Sequence, residues 1–431
     1  NKGDNAVLGN LYRTVTDEGY VKWVCIDHYR VNYQESSATE FQHVLGSVGG
    51  SFNENDGRVV LKLESSVLAD QLYSALGRAR LVYELDIDLS WACTVSDLEA
   101  LEGALRNSRV SIIRLDLQQF RPSLASKLLL TPTQYEVILR IRDLPQVRVF
   151  HIVLSEENIK FSEIPKISTH ASKISCELRF REIKSGRRDI GIITKILKTN
   201  STVTTLDLLC NGIGDEGAKA LTQVLKVNSA LTTLYLNHNI IGVDGVKTLT
   251  EALKINSTLT ILILGFNSTR AKGAEALAMA LKINSALTTL DLGFNNISDD
   301  GAKALAEALK INTALTILNL DYNSISISGV MALAEALKIN SALTTLHLDY
   351  NNIGDNGAKA LAVALKINSN LITLKLEQNK IGVNGTRALA EVLKINSTLT
   401  TLNLKTNNIR VDGAKALSEA LKINSNLTIL H

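Results

Sequence analysis

Residues 287–314 read LTTLDLGFNNISDDGAKALAEALKINTA, and the same frame of leucines and asparagines recurs every 28 residues without an insertion. Eight asparagines mark the repeats, and they are Asn211, Asn239, Asn267, Asn295, Asn323, Asn351, Asn379 and Asn407. Because copies of one frame follow each other directly, the fold of the second half of the chain follows from the fold of a single repeat.

The apolar residues change their spacing within each repeat. Leu290 and Leu292 are two residues apart, which places both side chains on one side of a short strand. The apolar residues that follow recur at steps of three and four, which predicts a helix from about Gly301 to about Asn312. Neither element can bury its apolar face alone, so the repeats must stack. We predict a curved α/β solenoid with a parallel sheet on the concave face and helices on the convex face.

The recurring asparagines follow the predicted strands, where a turn leaves backbone groups without partners in the sheet. An amide side chain carries donors and an acceptor, so an inward-facing Asn can bond to the backbone of adjacent repeats. We therefore interpret all eight as residues that stabilise the fold and do not bind a ligand.

The helices share the pattern GAxxLxxxLKxN, and residues 351–362 read NNIGDNGAKALA. With its repeat length of 28, the region from Val203 onward resembles the ribonuclease-inhibitor class of leucine-rich repeats. It looks most like the repeat regions of NOD-like receptors, and the class also includes Ran GTPase-activating proteins. The resemblance implies a horseshoe-shaped solenoid that binds other proteins. It does not identify a partner, because members of the class bind unrelated proteins.

The first half of the chain differs in composition, since all four prolines lie between Pro122 and Pro165. It nevertheless contains short strand-like runs, at residues 59–63, 83–89, 111–117, 147–153 and 176–180. We predict a cap or divergent segment at 1–58, degenerate leucine-rich repeats at 59–202 and regular repeats at 203–431. The preferred interpretation is one continuous solenoid. The alternative is a separate α/β domain that covers the open end of the regular array.

Composition argues against several classes of partner. The formal charge of +3, from 46 basic and 43 acidic residues, gives no strong field that would attract nucleic acid or anionic lipid. No apolar stretch reaches the ~18 residues of a membrane helix. Four cysteines in 431 residues do not form a disulfide framework, which favours a reducing compartment. We expect a cytoplasmic protein that binds neither nucleic acid nor membrane.

From Val203 onward the chain has only five aromatic residues, and all occupy positions predicted to face the concave side. They are Tyr235, Phe266, Phe294, Tyr322 and Tyr350. The last four stand directly before a ladder asparagine in consecutive repeats. With strands about 4.8 Å apart, their rings form a column that is close enough for offset stacking.

Charged side chains at other exposed strand positions border the predicted column, namely Asp291, Asp321, His347, Asp349 and Glu377. Aromatic anchors contribute much of the energy of protein interfaces, so the strip is a candidate protein-binding site for a partner that presents Arg or Lys. The alternative is that duplication copied the ring from repeat to repeat and that the stacked rings only stiffen the sheet.

Signatures of catalysis or metal binding are missing from the sequence. There is no Gly-x-x-x-x-Gly-Lys-Ser/Thr loop, and the Cys25 and His28 pair has no second pair at zinc-finger spacing. His238 and His347 lie on the predicted concave face without a Ser or Cys partner in the pattern. We expect no catalytic residue, no metal and no cofactor.

The sequence thus predicts a non-enzymatic protein-protein interaction module, a scaffold or sensor region that binds its partner on the concave face. One alternative is a GTPase-activating protein of the Ran-activator type, although no rim motif that would order a GTPase site can be matched. Another is the ligand-sensing region of a larger NOD-like receptor. Because the last repeat stops inside its strand at His431, self-association through an uncapped end is a further possibility.

Overall fold

The structure is a computed structural model, and it describes residues 11–15, 21–25, 36–53, 57–63, 65–77, 79, 82–89, 93–116, 132–154, 175–180, 188–198 and 203–431. The chain divides into two compact units, Asn1–Glu177 and Leu178–His431.

The described part of the first unit alternates strands with helices. Its strands are β1 (Leu11–Val15), β2 (Val21–Cys25), β3 (Ser51–Asn53), β4 (Arg58–Leu63), β5 (Glu84–Leu89), β6 (Ile112–Asp116) and β7 (Val149–Leu154), and β8 (Ser175–Phe180) spans the boundary between the units. Its helices are α1 (Ser36–Ser47), α2 (Ser66–Leu76), α3 (Val95–Arg106) and α4 (Pro132–Arg142). Strands β1 and β2 form an antiparallel pair, β3 runs antiparallel to β4, and β4 to β7 are parallel in chain order. The five predicted strand-like runs are strands β4 to β8.

The second unit repeats one strand and one helix. After helix α5 (Arg188–Leu197), its strands are β9 (Val203–Asp207), β10 (Thr233–Tyr235), β11 (Ile261–Ile263), β12 (Thr289–Asp291), β13 (Ile317–Asn319), β14 (Thr345–His347), β15 (Thr373–Lys375), β16 (Thr401–Asn403) and β17 (Ile429–Leu430). The helices between them are α6 (Asp215–Leu225), α7 (Val243–Leu253), α8 (Arg270–Leu281), α9 (Ser298–Leu309), α10 (Ile327–Leu337), α11 (Gly354–Leu365), α12 (Val383–Leu393) and α13 (Arg410–Leu421).

Strands β9 to β17 form a parallel sheet in chain order, and equivalent residues of successive repeats are paired. Leu290, for example, lies beside Leu262 on one side and Leu318 on the other. Leu290 and Leu292 are fully buried, as their spacing of two predicts. Helix α9 begins at Ser298, three residues before the predicted start, and ends at Leu309.

The core lies between the sheet and the helices. The helical stripe Ala302, Leu305 and Leu309 is buried against the leucines of the strands, and the same positions are buried in the repeats on either side. Burial of five leucines and three alanines in the repeat 287–314 is the main stabilising contribution, and it is possible only because neighbouring repeats cover each other.

The ladder asparagines are fold residues, as predicted. Asn323 is fully buried. Its Oδ1 accepts hydrogen bonds from the backbone N–H groups of Asn295 and Ile297 at 3.1 Å, and its Nδ2 donates to the carbonyls of Leu292 at 2.8 Å and Asp321 at 2.9 Å. One side chain thus satisfies four backbone groups, three of them in the preceding repeat.

A second asparagine ladder follows the helices, and its residues are Asn228, Asn256, Asn284, Asn312, Asn340, Asn368, Asn396 and Asn424. Asn312 donates from Nδ2 to the carbonyls of Leu281 at 2.7 Å and Asn284 at 3.0 Å in the preceding repeat. Its Oδ1 accepts from the N–H groups of Ala314 and Leu315. The repeats are therefore joined by amide side chains on both sides of strands β10 to β16.

Candidate functional site

Five aromatic side chains form one stacked column beside the sheet of the second unit. The column, called the ring column below, consists of His238, Phe266, Phe294, Tyr322 and Tyr350. Successive ring centroids are 3.9, 3.8, 3.8 and 4.0 Å apart, with interplanar angles of 12–17°. The four predicted rings are thus brought together, and His238 is a fifth member that the sequence analysis did not include.

The backbone fixes the spacing of these rings. All five residues have positive φ angles of 54–58°, a left-handed conformation that costs a residue with a side chain about 1–2 kcal/mol. The N–H of Phe294 donates to the carbonyl of Asp321 at 2.9 Å, and the N–H of Tyr322 donates to the carbonyl of Asp349 at 3.0 Å. The turn is held by these bonds and by the buried asparagine that follows each ring.

Neighbouring rings are displaced sideways from each other by less than the offset stacking predicted from the sequence. A centroid distance of 3.8 Å is shorter than the ~4.8 Å between strands, and carbon atoms cannot approach much closer than about 3.5 Å. The rings therefore lie nearly face to face, which their quadrupoles do not favour. The inner ring faces are covered by neighbouring rings, so a cation can reach a ring face only at His238 or Tyr350, and the ring edges form the surface.

Solvent reaches the column from one side. Phe266 is 41% exposed and Tyr322 is 37% exposed, whereas Phe294 and Tyr350 are half-buried. Tyr235 ends strand β10, also half-buried, and it is not part of the stack. The rings are neither sealed in the core nor scattered over different faces.

A row of carboxylates borders the second half of the column. Asp321 and Asp349 directly precede Tyr322 and Tyr350, and Glu377 holds the same position in the next repeat. The Oδ1 of Asp321 accepts from the N–H of Asp349 at 2.7 Å, and the Oδ1 of Asp349 accepts from the N–H of Glu377 at 2.6 Å. Glu377 also accepts from the Tyr350 hydroxyl at 3.3 Å. These bonds fix the carboxylates against the rings.

Two further predicted residues lie on the strands, three positions before the rings. The Oδ1 of Asp291 accepts from the N–H of Gly293 at 2.8 Å. The Nδ1 of His347 lies 4.0 Å from the Oδ2 of Asp321. The structure therefore places the predicted site residues on one continuous face of the sheet.

Burial changes the protonation of this row. Burial, together with the nearby charge of Asp349, raises the pKa of Asp321 to about 7. Burial also raises the pKa of Asp291 and of Asp349. Burial and the charge of Lys375 lower the pKa of His347 to about 4. Near neutral pH the imidazole is thus uncharged, and the negative charge of the row rises with pH.

The surface changes character along the array. Gly265 and Gly293 precede Phe266 and Phe294, in the positions that carboxylates occupy in later repeats. A Cβ at either glycine would lie 3.3 Å from the Oδ1 of Asp291, which fills the available space. The column therefore has an apolar half around its phenylalanines and an acidic half around its tyrosines.

An open groove of about 600 Å³ lies along the apolar half. Its lining residues are Cys210, His238, Asn239, Phe266, Phe294, Asn296 and Tyr322. Cys210 lies in the column position of the preceding repeat, so the expectation that His238 has no cysteine nearby was wrong. Cys210 and His238 are 28 residues apart, so the sequence already aligns them with the column. They are absent from the predicted column, which included only Phe and Tyr at this position.

Metal binding and membrane insertion find no support in the part of the chain that the structure describes. There, no group of three or more His, Cys, Asp or Glu side chains is placed to hold a metal ion. Of the helices described, none has the length and apolar character needed to cross a bilayer.

A protein-family model described as Leucine Rich repeat matches six segments of the chain, residues 199–221, 227–249, 284–306, 312–334, 340–362 and 396–418. These segments are leucine-rich repeats. With the parallel sheet and the regular helices, they make the fold an α/β leucine-rich repeat solenoid, as predicted. Leucine-rich repeat proteins commonly act as protein-interaction modules and are typically non-enzymatic.

Several solved structures are similar to the chain at low scores. An internalin from Listeria monocytogenes has 15% identity and a TM-score of 0.41, over 92% of this chain and 94% of that one. The Rad7 and Elc1 complex from yeast has 14% identity and a TM-score of 0.41, over 92% and 87%. The actin-binding site 2 of leiomodin-1 has 26% identity and a TM-score of 0.30, over 34% and 87%. At these scores the likenesses say nothing about what this chain binds. No match is found among curated proteins.

Proposed function

We propose that this chain is a non-enzymatic interaction module whose concave sheet face binds a partner protein at the ring column and its carboxylates. The observation that carries the proposal is the column itself, five rings in one continuous stack with their edges at the surface. Aromatic side chains dominate the energetics of protein interfaces. Because the backbone already fixes these rings, little side-chain entropy is lost on binding.

The two halves of the column specify the chemistry of the partner. Apolar side chains of the partner fit against the edges of Phe266 and Phe294 along the open groove. Lys or Arg of the partner fits beside Asp321, Asp349 and Glu377, since these carboxylates form one row along the rings. The carboxylates, and not the covered inner ring faces, therefore attract the cations.

Site-specific photocrosslinking tests this assignment. A photoreactive phenylalanine analogue replaces Tyr322 on the sheet face or Lys303 on the exposed side of helix α9, and both proteins are irradiated in cell extract. We expect the analogue at position 322 to capture one dominant protein partner and the analogue at 303 to capture none. Equal capture at both positions, or no protein captured at 322, would contradict the proposal.

We also propose the class of leucine-rich repeat, the domain boundaries and the cellular location of this protein. Its 28-residue repeat with a helix in every copy supports the ribonuclease-inhibitor class and the resemblance to NOD-like receptors. The strand and helix alternation of the first unit supports degenerate repeats at 59–202, after a cap at 1–58. We place the protein in the reducing cytoplasm, where the exposed thiol of Cys210 would persist.

The alternative functions give different results in simple assays. A Ran-type activator would accelerate GTP hydrolysis by a small GTPase. A ligand-sensing region of a receptor would be one part of a longer protein that also contains other domains, and it would bind the ligand of that receptor. Self-association through the last repeat would be abolished by polar substitutions in strand β17. If a partner is captured at the ring column and GTP hydrolysis is not accelerated, the results support a non-enzymatic interaction module.

A further inference from the structure

Eight consecutive repeats expose one β-branched side chain in the turn that follows the helix. These residues, called the isoleucine row below, are Val227, Ile255, Ile283, Ile311, Ile339, Ile367, Ile395 and Ile423. Each is 58–64% exposed, whereas the central strand leucines of the same array, such as Leu262, Leu290 and Leu318, are buried. The core does not need these side chains, and so long a row of exposed apolar side chains is unusual for a monomer.

The row is rigid. The N–H of Ile283 donates to the carbonyl of Ala280 at 3.0 Å, which closes the last turn of helix α8. The next residue, Asn284, is buried and donates from Nδ2 to the carbonyls of Leu253 at 2.7 Å and Asn256 at 2.9 Å in the preceding repeat. Successive turns are thus bonded together, so covering the row costs little conformational entropy.

Four of the eight lysines beside the row are paired with a glutamate. A lysine precedes each row residue, and Lys254, Lys310 and Lys394 each lie 2.6 Å from a glutamate in the last turn of the same helix. Where the glutamate position is apolar, Met279 and Val363 are 57% and 54% exposed and widen the row. The paired lysines therefore add little net field beside the row, and Met279 and Val363 extend its apolar surface.

We propose that the isoleucine row binds the same row of a second copy of this chain, in a two-fold symmetric dimer. A two-fold interface uses one surface patch on both copies, and a row of identical repeats is complementary to itself when the second copy runs antiparallel. In full register, Ile311 of one copy lies opposite Ile339 of the other, and Val227 lies opposite Ile423.

The area of the row fits a dimer. A fully buried isoleucine side chain removes about 100 Å² of apolar surface from water, so the exposed part of the row provides on the order of 500 Å² per copy. Two copies together bury about 1,000 Å² before Met279, Val363 and the lysine methylenes are counted. Specific interfaces begin at about that size.

The dimer leaves the sheet face available. The row precedes each strand and the ring column follows it, so the two surfaces lie at opposite ends of the short strands. A dimer would present two ring columns and bind a repetitive or dimeric partner with higher avidity than a monomer. The inference does not depend on the partner proposed for the ring column, because dimerisation is measured on the chain alone.

Sedimentation equilibrium of the full chain between about 0.1 and 100 µM tests the proposal. The row variant Ile283→Gln/Ile339→Gln replaces two side chains that are each 63% exposed, and the control Ile240→Gln/Val411→Gln replaces two that are each 69% exposed outside the row. We expect wild type and control to form dimers, and we expect the dissociation constant of the row-variant dimer to be at least tenfold higher. A monomeric wild type at 100 µM, or equal dissociation constants for both variants, would overturn the proposal.

Disulfide trapping tests the register. In a Cys210→Ser background, Ile311→Cys protein is mixed with Ile339→Cys protein under mild oxidation, and the control mixture pairs Ile311→Cys with Ile423→Cys. We expect the first mixture to form a crosslinked dimer at least tenfold faster. Equal rates would overturn the antiparallel register. Row-dependent sedimentation with phosphatidylcholine vesicles by a protein that stays monomeric would show that lipid, and not a second copy, covers the row.

Discussion

At the scale of single residues, buried amides and carboxylates supply the side-chain hydrogen bonds that join neighbouring repeats. A ladder asparagine such as Asn323 bonds mainly to the repeat before it, so its loss would leave unsatisfied backbone groups in two repeats at once. Asp321 and Asp349 on the sheet face use Oδ1 in the same way, each for a backbone N–H of the next repeat. Fold and candidate site therefore use the same chemistry.

The central ladder residue Asn323 gives a stability prediction. Asn323→Ala leaves two backbone N–H groups and two carbonyls without their partners in a fully buried position, so we expect the free energy of unfolding to fall by about 2–4 kcal/mol. Urea denaturation monitored by circular dichroism measures the change. The control, Asn356→Ala on the exposed side of helix α11, should change it by less than about 0.5 kcal/mol.

Asp321 predicts a pH dependence of stability. Its pKa in the folded protein is raised to about 7, above the unfolded value near 3.9, so ionisation opposes folding as pH rises through about 7. We expect Asp321→Asn to be more stable than wild type by about 1–2 kcal/mol at pH 8 and equal to it near pH 4. The amide keeps the acceptor for the N–H of Asp349.

Two details make that comparison specific. His347 has a lowered pKa and its contribution is lost as pH falls towards about 4, so variant and wild type must be compared at each pH. Asp300→Asn makes the same chemical change at an exposed carboxylate of helix α9 and is the matched control. A difference for Asp321→Asn that is largest at pH 4 would contradict the assignment.

At the scale of elements, helices begin with help from the preceding repeat. Helix α10 has no side-chain cap of its own, and Asp299 of the preceding repeat accepts from the N–H groups of Ser326 at 2.7 Å and Gly329 at 3.0 Å. Asp215 and Asp355 contact the following helices in the same way. A cap that lies 27 residues earlier in the chain is not recognisable as a local signal.

The shared cap predicts a second pH-dependent variant. Burial alone would raise the pKa of Asp299, but hydrogen bonds from Ser326, Ser328 and Gly329 lower it below its usual value. Its stabilising contribution is therefore present above the unfolded pKa near 3.9 and is lost as pH falls below it. We expect Asp299→Ala to lose about 1–2 kcal/mol at pH 7 and less at acidic pH, once the carboxyl group is protonated. A loss that does not shrink as pH falls would contradict a charged cap.

Close helix contact predicts the effect of adding one methyl group. A Cβ at Gly301 would lie 2.4 Å from Cγ2 of Ile297, 2.9 Å from Cβ of Ala274 and 3.3 Å from the backbone of Ala271. We expect Gly301→Ala to destabilise by about 1–3 kcal/mol despite the better helix propensity of alanine. Gly103→Ala in helix α3, where a Cβ meets nothing within 4 Å, should instead stabilise slightly. Thermal unfolding of both variants measures the difference.

The elements also show what a sequence can and cannot reveal. The two-residue spacing of Leu290 and Leu292 was enough to predict the strand face, and the 28-residue period was enough to predict the ring stack. The start of helix α9 was predicted three residues late because its first turn carries no local cap. The second ladder was missed because an Asn that ends a helix looks like an ordinary stop signal. Whether the isoleucine row is exposed depends on which side chains neighbouring repeats bury. The spacing of residues in the sequence does not show this.

At the scale of the whole molecule, the regular array is a one-dimensional stack in which every repeat depends on its neighbours. Positions along the repeat then become lines along the array: two asparagine ladders inside, the ring column after the strands and the isoleucine row before them. We expect function at the ring column and the isoleucine row, because the asparagine ladders are buried and stabilise the fold. The change from apolar to acidic along the ring column gives that surface a direction.

The most direct test of the central claim is the affinity for the partner captured at position 322, measured by isothermal titration calorimetry. The ring variant Phe266→Ala/Phe294→Ala/Tyr322→Ala is compared with the helix-face variant Lys303→Ala/Asn356→Ala. We predict that the ring variant binds at least 100-fold more weakly while its melting temperature falls by only a few degrees, and that the helix-face variant binds like wild type. A folded ring variant with the Kd of wild type would contradict the account.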